Sequence, residues 1–229
     1  MNRLIFPENL KSHVTAFFTG KSPGADTRDM AEILKIGAGD FYLPMQRHTD
    51  KVLVLESSRE PGIGDAVITR EAGVLIGVQV ADCVPLLLYD PKKDVVGAVH
   101  AGWRGTAAGI LKNSLRVMEE RFRCDPGDIL VAVGPSIKAC CYEAGYDVVQ
   151  AVERATGEGD YLVRRGEKYY LDLPKANRHQ AIAMGVPEAG IWISEECTFC
   201  NPDRFFSYRY ARGSTGRQGG FIGKITLPS

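Results

Sequence analysis

The sequence predicts an α+β fold, and three observations predict it. Between residues 51 and 100 the chain runs through short stretches of β-branched and aliphatic residues, each broken by Gly, Asp or Pro. An amphipathic helix signal follows at about 106–122, where Leu111, Leu115, Met118 and Phe122 are spaced four, three and four apart. Strands and helices do not alternate regularly, so a doubly wound parallel sheet is not expected.

The elements follow in order. A first strand is expected at 14–19. A helix follows at about 26–36, where Met30, Ile33, Leu34 and Ile36 have helical spacing. Apolar strands are expected at 51–55, 66–69, 75–80, 84–88 and 95–100. Gly102 and Gly105 punctuate the turn into the long helix. Residues 129–133 form a strand that enters Gly134-Pro135. Residues 147–154 and 174–184 read as helices, the second with Pro174 in its first turn. The polar, arginine-rich stretch at about 201–220 ends on a short apolar strand. No repeat or linker divides the chain, so residues 1–229 are expected to form a single domain.

Composition narrows the function. Apolar residues make up 45% of the 229 and charged residues 24%, an ordinary globular balance. Lys plus Arg and Asp plus Glu both number 28, so the net charge is zero. Such a chain lacks the basic footprint of a nucleic-acid binder and has no electrostatic pull toward an anionic membrane. Its apolar runs, such as 84–88, are far shorter than the roughly 20 residues of a membrane span. The first residues carry no long apolar segment of a secretory signal, so the expected compartment is the cytoplasm. Six cysteines are too few and too scattered for a disulfide scaffold. In a reducing compartment they read as buried thiols, metal ligands or nucleophiles. Nucleotide-binding, nucleophile-elbow, zincin and EF-hand motifs are absent.

Three short segments gather reactive groups where apolar strands stop: Gln46-Arg47-His48-Thr49-Asp50, Ala81-Asp82-Cys83 and His100-Ala101-Gly102-Trp103-Arg104-Gly105. His48, Cys83 and His100 make a natural zinc set, because neutral imidazole and thiolate suit zinc and three ligands leave a fourth position open. They are separated by 35 and then 17 residues, so spacing alone does not bring them together. Each also has an ordinary reading, as a hydrogen-bonded surface histidine or a packed cysteine. Cys83 and His100 alone would make a thiolate–imidazole nucleophile. Asp82 is the candidate to orient His100, although neighbours on a strand point to opposite faces. Arg104 sits just before the expected helix, where phosphate is attracted, with Arg47 as a second arm; a solvated arginine is the alternative. Cys197-Thr198-Phe199-Cys200 has the C-x-x-C form but no second C-x-x-C, Cys140-Cys141 being adjacent and poorly shaped for a zinc knuckle, and it lacks a thioredoxin-type βαβ context; it reads as packing or a capped turn. Phe205–Tyr210 reads equally as a stacking surface or a core strand.

These segments, with Gly134-Pro135-Ser136-Ile137, Cys141-Tyr142-Glu143-Ala144-Gly145, Phe205-Phe206-Ser207-Tyr208-Arg209 and Gly216-Arg217-Gln218, resemble in order the YfiH/laccase-domain family. That family has also been called the multicopper polyphenol oxidases and the purine nucleoside phosphorylases. Ala144 stands where the family often has valine. The resemblance implies an αββα layered sandwich with mixed β-sheets, shared distantly with the cytotoxic necrotizing factor domain. It implies zinc on His48, Cys83 and His100, with copper as the other metal to consider. It implies phosphorolysis of adenosine, inosine, guanosine and methylthioadenosine, and deamination of adenosine, with purine nucleosides and phosphate as partners. Cys83, His100, Arg104 and Asp82 become the expected catalytic groups, and Arg47, Arg104, Glu143 and Tyr208 the expected substrate contacts. Asp82 and Glu143 are the candidate acids. The alternatives are a metal-free cysteine hydrolase, a non-catalytic metal-binding module and a copper-dependent polyphenol oxidase. The oxidase needs a blue-copper site and a trinuclear histidine-rich cluster, and a chain with four histidines falls short of both.

Overall fold

The computed structural model describes residues 4–11, 14–56 and 59–227. His13, one of the four histidines, and the first three residues lie outside them. The elements are β1 (Thr15–Phe18), α1 (Thr27–Leu34), β2 (Phe41–Tyr42), β3 (Val52–Leu55), β4 (Ala66–Thr69), β5 (Leu75–Val80), β6 (Val84–Asp90) and β7 (Val95–Ala101). They continue as α2 (Trp103–Ala108), α3 (Ile110–Phe122), β8 (Leu130–Val133), β9 (Glu143–Ala144), α4 (Tyr146–Thr156), β10 (Leu162–Arg165) and β11 (Lys168–Leu171). Last come α5 (Leu173–Ala183), β12 (Ile191–Ile193), α6 (Tyr208–Ala211) and β13 (Gln218–Gly223).

Two mixed sheets form the centre. One has the order β1-β13-β5-β2 and the other β12-β8-β6-β7-β4-β3. The pairs β2–β5, β3–β4 and β8–β12 are parallel; the remaining pairs in these sheets are antiparallel. Alternation along each strand sorts residues onto two faces. From the larger sheet, Ile68, Leu86, Leu88, Val99 and Val131 pack under α3, α4 and α5. Their neighbours Val67, Leu87, Ala98 and Ala132 face the smaller sheet, meeting Phe18, Ile76, Val78 and Ile222. The smaller sheet's outer face, with Phe17, Leu75 and Phe221, is covered by Met30, Ala31 and Leu34 of α1. Helix, sheet, sheet, helix is the αββα layering. β4, β6 and β7 are buried along their whole length, as strands covered on both faces should be.

Local signals set several boundaries. Asp26 caps α1 by accepting from the Arg28 amide at 2.8 Å, and Asp172 caps α5 by accepting from Lys175 at 3.0 Å. The helix expected at 106–122 is in fact two. Gly109 takes φ 78°, a left-handed conformation open to glycine, and ends α2 before α3 begins. Arg104 therefore lies inside the first turn of α2, not ahead of a helix. The stretch 205–210 is neither a core strand nor wholly a surface: Phe205 is buried, and α6 starts three residues later.

Phe18 is closely packed between the sheets. Its ring stacks on Trp192 with centroids 6.2 Å apart. A Cβ on Gly134 would lie 2.4 Å from that ring, and one on Gly220 would lie 2.9 Å away. Phe18→Ala should cost about 3–5 kcal/mol of folding stability. Urea denaturation followed by fluorescence would show this as a lowered midpoint.

Candidate active site

The site begins with a buried acid. Asp65 directly precedes β4 and has no exposed surface. Its carboxylate accepts from the backbone N–H groups of Arg47 (3.1 Å), His48 (2.9 Å) and Thr49 (2.7 Å) and from the Thr49 hydroxyl (2.8 Å). Successive amides converging on an anion require a curled backbone. His48 accordingly takes φ 58°, a left-handed conformation uncommon for a non-glycine residue. The same carboxylate lies 2.8 Å from His100 Nδ1. Pairing of β4 with β7 brings the two residues together, and the His100 amide donates to the Asp65 carbonyl at 2.7 Å. One carboxylate thus places both histidines.

With Nδ1 engaged, His100 is free to present Nε2. Cys83 arrives on the turn between β5 and β6, and one ligand atom from each of His48, Cys83 and His100 lies within 4.8 Å of the others. The two imidazoles meet edge to face, 4.8 Å between centroids. Gly102 closes the cradle: a Cβ there would sit 2.8 Å from Cys83 Sγ and 3.4 Å from the His48 ring. Two nitrogens and a sulfur with an open side suit zinc. The histidine-rich cluster of a multicopper oxidase does not fit. Of the remaining histidines, His179 is bonded to Asp160 at 2.8 Å and packs on Tyr161, and His13 is outside the described residues.

Electrostatics couples the three groups. Burial pushes the Cys83 thiol up, but the charges and hydrogen bonds of His100 and His48 outweigh it and bring it down to about 6. Burial pulls His100 down, but Cys83 and Asp65 together raise it to about 9. For Asp65, burial also favours the neutral acid; the bonds from His100, Thr49 and Arg47 win and hold it well below the usual carboxylate range.

These groups open onto a cavity of about 740 Å³. Arg47, Arg104, Arg209 and Arg217 all line it. Among the described residues, none of their guanidiniums pairs with a carboxylate. Arg104 lies over the Trp103 ring at 4.4 Å and Arg209 over Tyr142 at 5.1 Å. Arg217 donates to the carbonyls of Thr215 and Gly216. Tyr208, 56% exposed, stands in the cavity wall. A chain of zero net charge has therefore concentrated positive charge at one cleft.

Two candidate acids sit differently from expectation. Asp82 borders the cavity, but its carboxylate accepts from Thr198 Oγ1 at 2.6 Å and from the Arg209 amide at 2.7 Å. It positions the arginine-bearing helix α6. Asp65, not Asp82, contacts His100 Nδ1, and both oxygens of Asp82 are engaged elsewhere. Glu143 is outside the cavity: its carboxylate is exposed and paired with Lys168 at 2.9 Å. The sequence reading did not single out Asp65, Arg209 or Arg217 for the site. An acid immediately ahead of a wholly apolar strand, Gly64-Asp65-Ala66, is the signal that would have flagged Asp65.

Fold and donor set together define a layered α+β protein with a soft three-ligand cluster open to an anion-attracting cleft. The chain belongs to the family described as multi-copper polyphenol oxidoreductase laccase, whose model matches residues 24–224. It is 44% identical over 167 residues to purine nucleoside phosphorylase YlmD of Geobacillus stearothermophilus, covering 72% of this chain but 61% of that relative's length. It is 37% identical over 203 residues, 82% of this chain and 76% of the relative, to adenosine deaminase RL5 from an unknown prokaryotic organism. The crystal structure of YlmD from Geobacillus stearothermophilus matches with a TM-score of 0.87 and 32% identity, covering 94% of this chain and 93% of that one.

Two substitutions test this geometry. Gly102→Ala should abolish metal retention at the His48–Cys83–His100 centre, measured by elemental analysis as the loss of that site's ion relative to wild type, because the new methyl would crowd Cys83 and His48. Asp65→Asn should weaken metal binding about 10–100-fold, the usual effect of losing the group that orients a ligand. The depressed Asp65 acidity also sets a sign. Its stabilisation is complete above the ordinary value of about 4 and is lost as pH falls toward the folded value. Acid titration of stability should therefore be shallower in Asp65→Asn than in the wild type.

Proposed function

We propose that this chain is a zinc-dependent enzyme of purine nucleosides. It carries out phosphorolysis of adenosine, inosine, guanosine and methylthioadenosine, and deaminates adenosine. The observation that carries this reading is the meeting of a His–Cys–His donor set with four arginines that, among the described residues, have no carboxylate partner, all on one cavity. The cavity volume also suits a ligand of nucleoside size. The names of the relatives point the same way.

Zinc held by His48, Cys83 and His100 would supply, when bound, a Lewis acid for an oxygen of phosphate or water. The chain's own residues do the rest. Arg104 and Arg47, joined by Arg209 and Arg217, neutralise phosphate and hold it against C1′ of the ribose. A phosphate oxygen then bonds to C1′ as the bond to the purine nitrogen breaks, and the departing base takes up a proton. Trp103, Tyr142 and Tyr208 offer aromatic faces to the purine. Tyr142, which burial pushes up to about 12, stays protonated and donates to the base. In deamination, water adds at C6 and ammonia leaves from the same cavity.

A second reading has one observation in its favour. Asp65, His100 and Cys83 stand in the order of an orienting acid, a base and a thiolate, which is the pattern of a cysteine hydrolase. Metal analysis separates the two. Purified protein should carry zinc at this site, and His48→Ala, Cys83→Ala and His100→Ala should each lose that zinc together with turnover. Cys83→Ala protein that keeps its full zinc but loses activity would establish the nucleophile instead.

Kinetics tests the arginine assignment. Arg104→Ala should raise the apparent KM for phosphate or lower kcat in phosphorolysis, and harm deamination less. Arg104→Lys should restore little, because an ammonium lacks the planar two-pronged donor geometry. Raising phosphate should divert adenosine from inosine and ammonia toward adenine and ribose 1-phosphate. Ammonia release indifferent to phosphate would exclude a shared site.

A further inference from the structure

A second sulfur-rich cluster lies outside the cavity. Cys197 and Cys200 have no second C-x-x-C in sequence, and the adjacent Cys140-Cys141 reads there as poorly shaped for a partner, but the fold brings the two pairs together. β8 and β12 run parallel, so the loops that follow them leave the sheet at the same end. A parallel bridge between Ser136 and Cys197 then binds those loops together. The result places Cys140 and Cys141 against Cys197 and Cys200, with all four sulfurs within 4.8 Å of one another.

The spacing is that of ligands about one ion. A zinc–sulfur bond of about 2.3 Å gives a tetrahedron whose edges are about 3.8 Å. The Cys141–Cys200 and Cys140–Cys200 sulfur separations are 3.2 and 3.6 Å. All four cysteines are free thiols, and those separations far exceed the roughly 2.05 Å of a disulfide. The backbone around the cluster is also arranged for thiolates. Amides of Lys138 and Cys200 donate to the Cys197 sulfur, the kind of support that ligands to a metal receive from their surroundings. Arg165 adds a positive charge nearby, its guanidinium 3.3 Å from the Cys140 carbonyl.

We propose that Cys140, Cys141, Cys197 and Cys200 bind a structural zinc ion, separate from the His48–Cys83–His100 centre. Four thiolates close the coordination sphere, so this ion takes no part in turnover. Its task is to fasten one wall of the cavity. Ile137 and Tyr142, which border the cavity, flank the Cys140-Cys141 pair. Thr198, inside the C-x-x-C turn, holds the carboxylate of Asp82 next to Cys83. The zinc would thus lock two loops whose other ends position the cleft.

Elemental analysis of protein purified with reductant and without chelator tests this. Wild type should hold about two zinc ions per chain, one at each site. His48→Ala, which leaves the four cysteines intact, should hold about one, and Cys197→Ser should hold about one. Cobalt(II) added to zinc-stripped His48→Ala should give the intense visible bands and sulfur charge-transfer absorption of a tetrahedral tetrathiolate. The His48→Ala protein decides the question even if Cys197→Ser fails to fold. His48→Ala without zinc and without the cobalt spectrum would overturn the proposal. So would iron in place of zinc, or a thiol titration of denatured, reductant-free protein showing that two of these cysteines had paired.

Discussion

The buried carboxylate of Asp65 is the constraint on which the site depends. A charge without solvent is costly unless every lone pair is answered. Here the answer comes from three consecutive amides, one hydroxyl and one imidazole. Satisfying it curls the 47–49 loop, forces His48 into a left-handed conformation and fixes which nitrogen of His100 faces the cleft. Residues far apart in sequence are thereby oriented by a single acid that itself never reaches the cavity. The arrangement also raises the cost of losing it, because removal would orphan several donors at once.

A second balance is drawn at the level of charge. Acids and bases cancel over the chain, yet the cleft holds arginines that have no carboxylate partner among the described residues. Two of them rest on aromatic faces and another is fixed by backbone carbonyls. Those contacts orient a guanidinium without neutralising it, and so preserve its attraction for an anion. Asp82, the nearest acid, is kept from cancelling them by its own bonds to Thr198 and the Arg209 amide.

Much of this was legible in the sequence, for reasons that differ by element. β4 and β5 lie where the apolar runs place them, because a strand buried on both faces has little choice of composition. The αββα layering came from ordered motifs rather than from periodicity. The break at Gly109 was not legible, since a left-handed glycine leaves the helical spacing of its neighbours nearly intact. The β10–β11 hairpin escaped because Arg164, Arg165 and Lys168, around its turn, are charged and exposed. β2, β9 and β12 are too short to carry a pattern. In the site, His48, Cys83 and His100 stood out by side-chain chemistry. Asp65 did not, because its role depends on which loop folds over it. Glu143 drew attention by its motif, whereas its neighbour Lys168 exists only in the folded hairpin.

The pairing of β1 with β13 has a consequence for synthesis. Thr19 and Gly219 bond to each other through both backbone and hydroxyl across 200 residues of chain. Closing so long a loop is entropically expensive and comes late in folding. On the ribosome, β1 must wait, with Phe17 and Phe18 exposed, until the last strand has emerged. The larger sheet with its helices can assemble meanwhile, but the smaller sheet has no second inner strand to lay against it. During that interval the nascent chain presents an unpaired apolar edge, the kind of surface that chaperones cover and aggregates exploit.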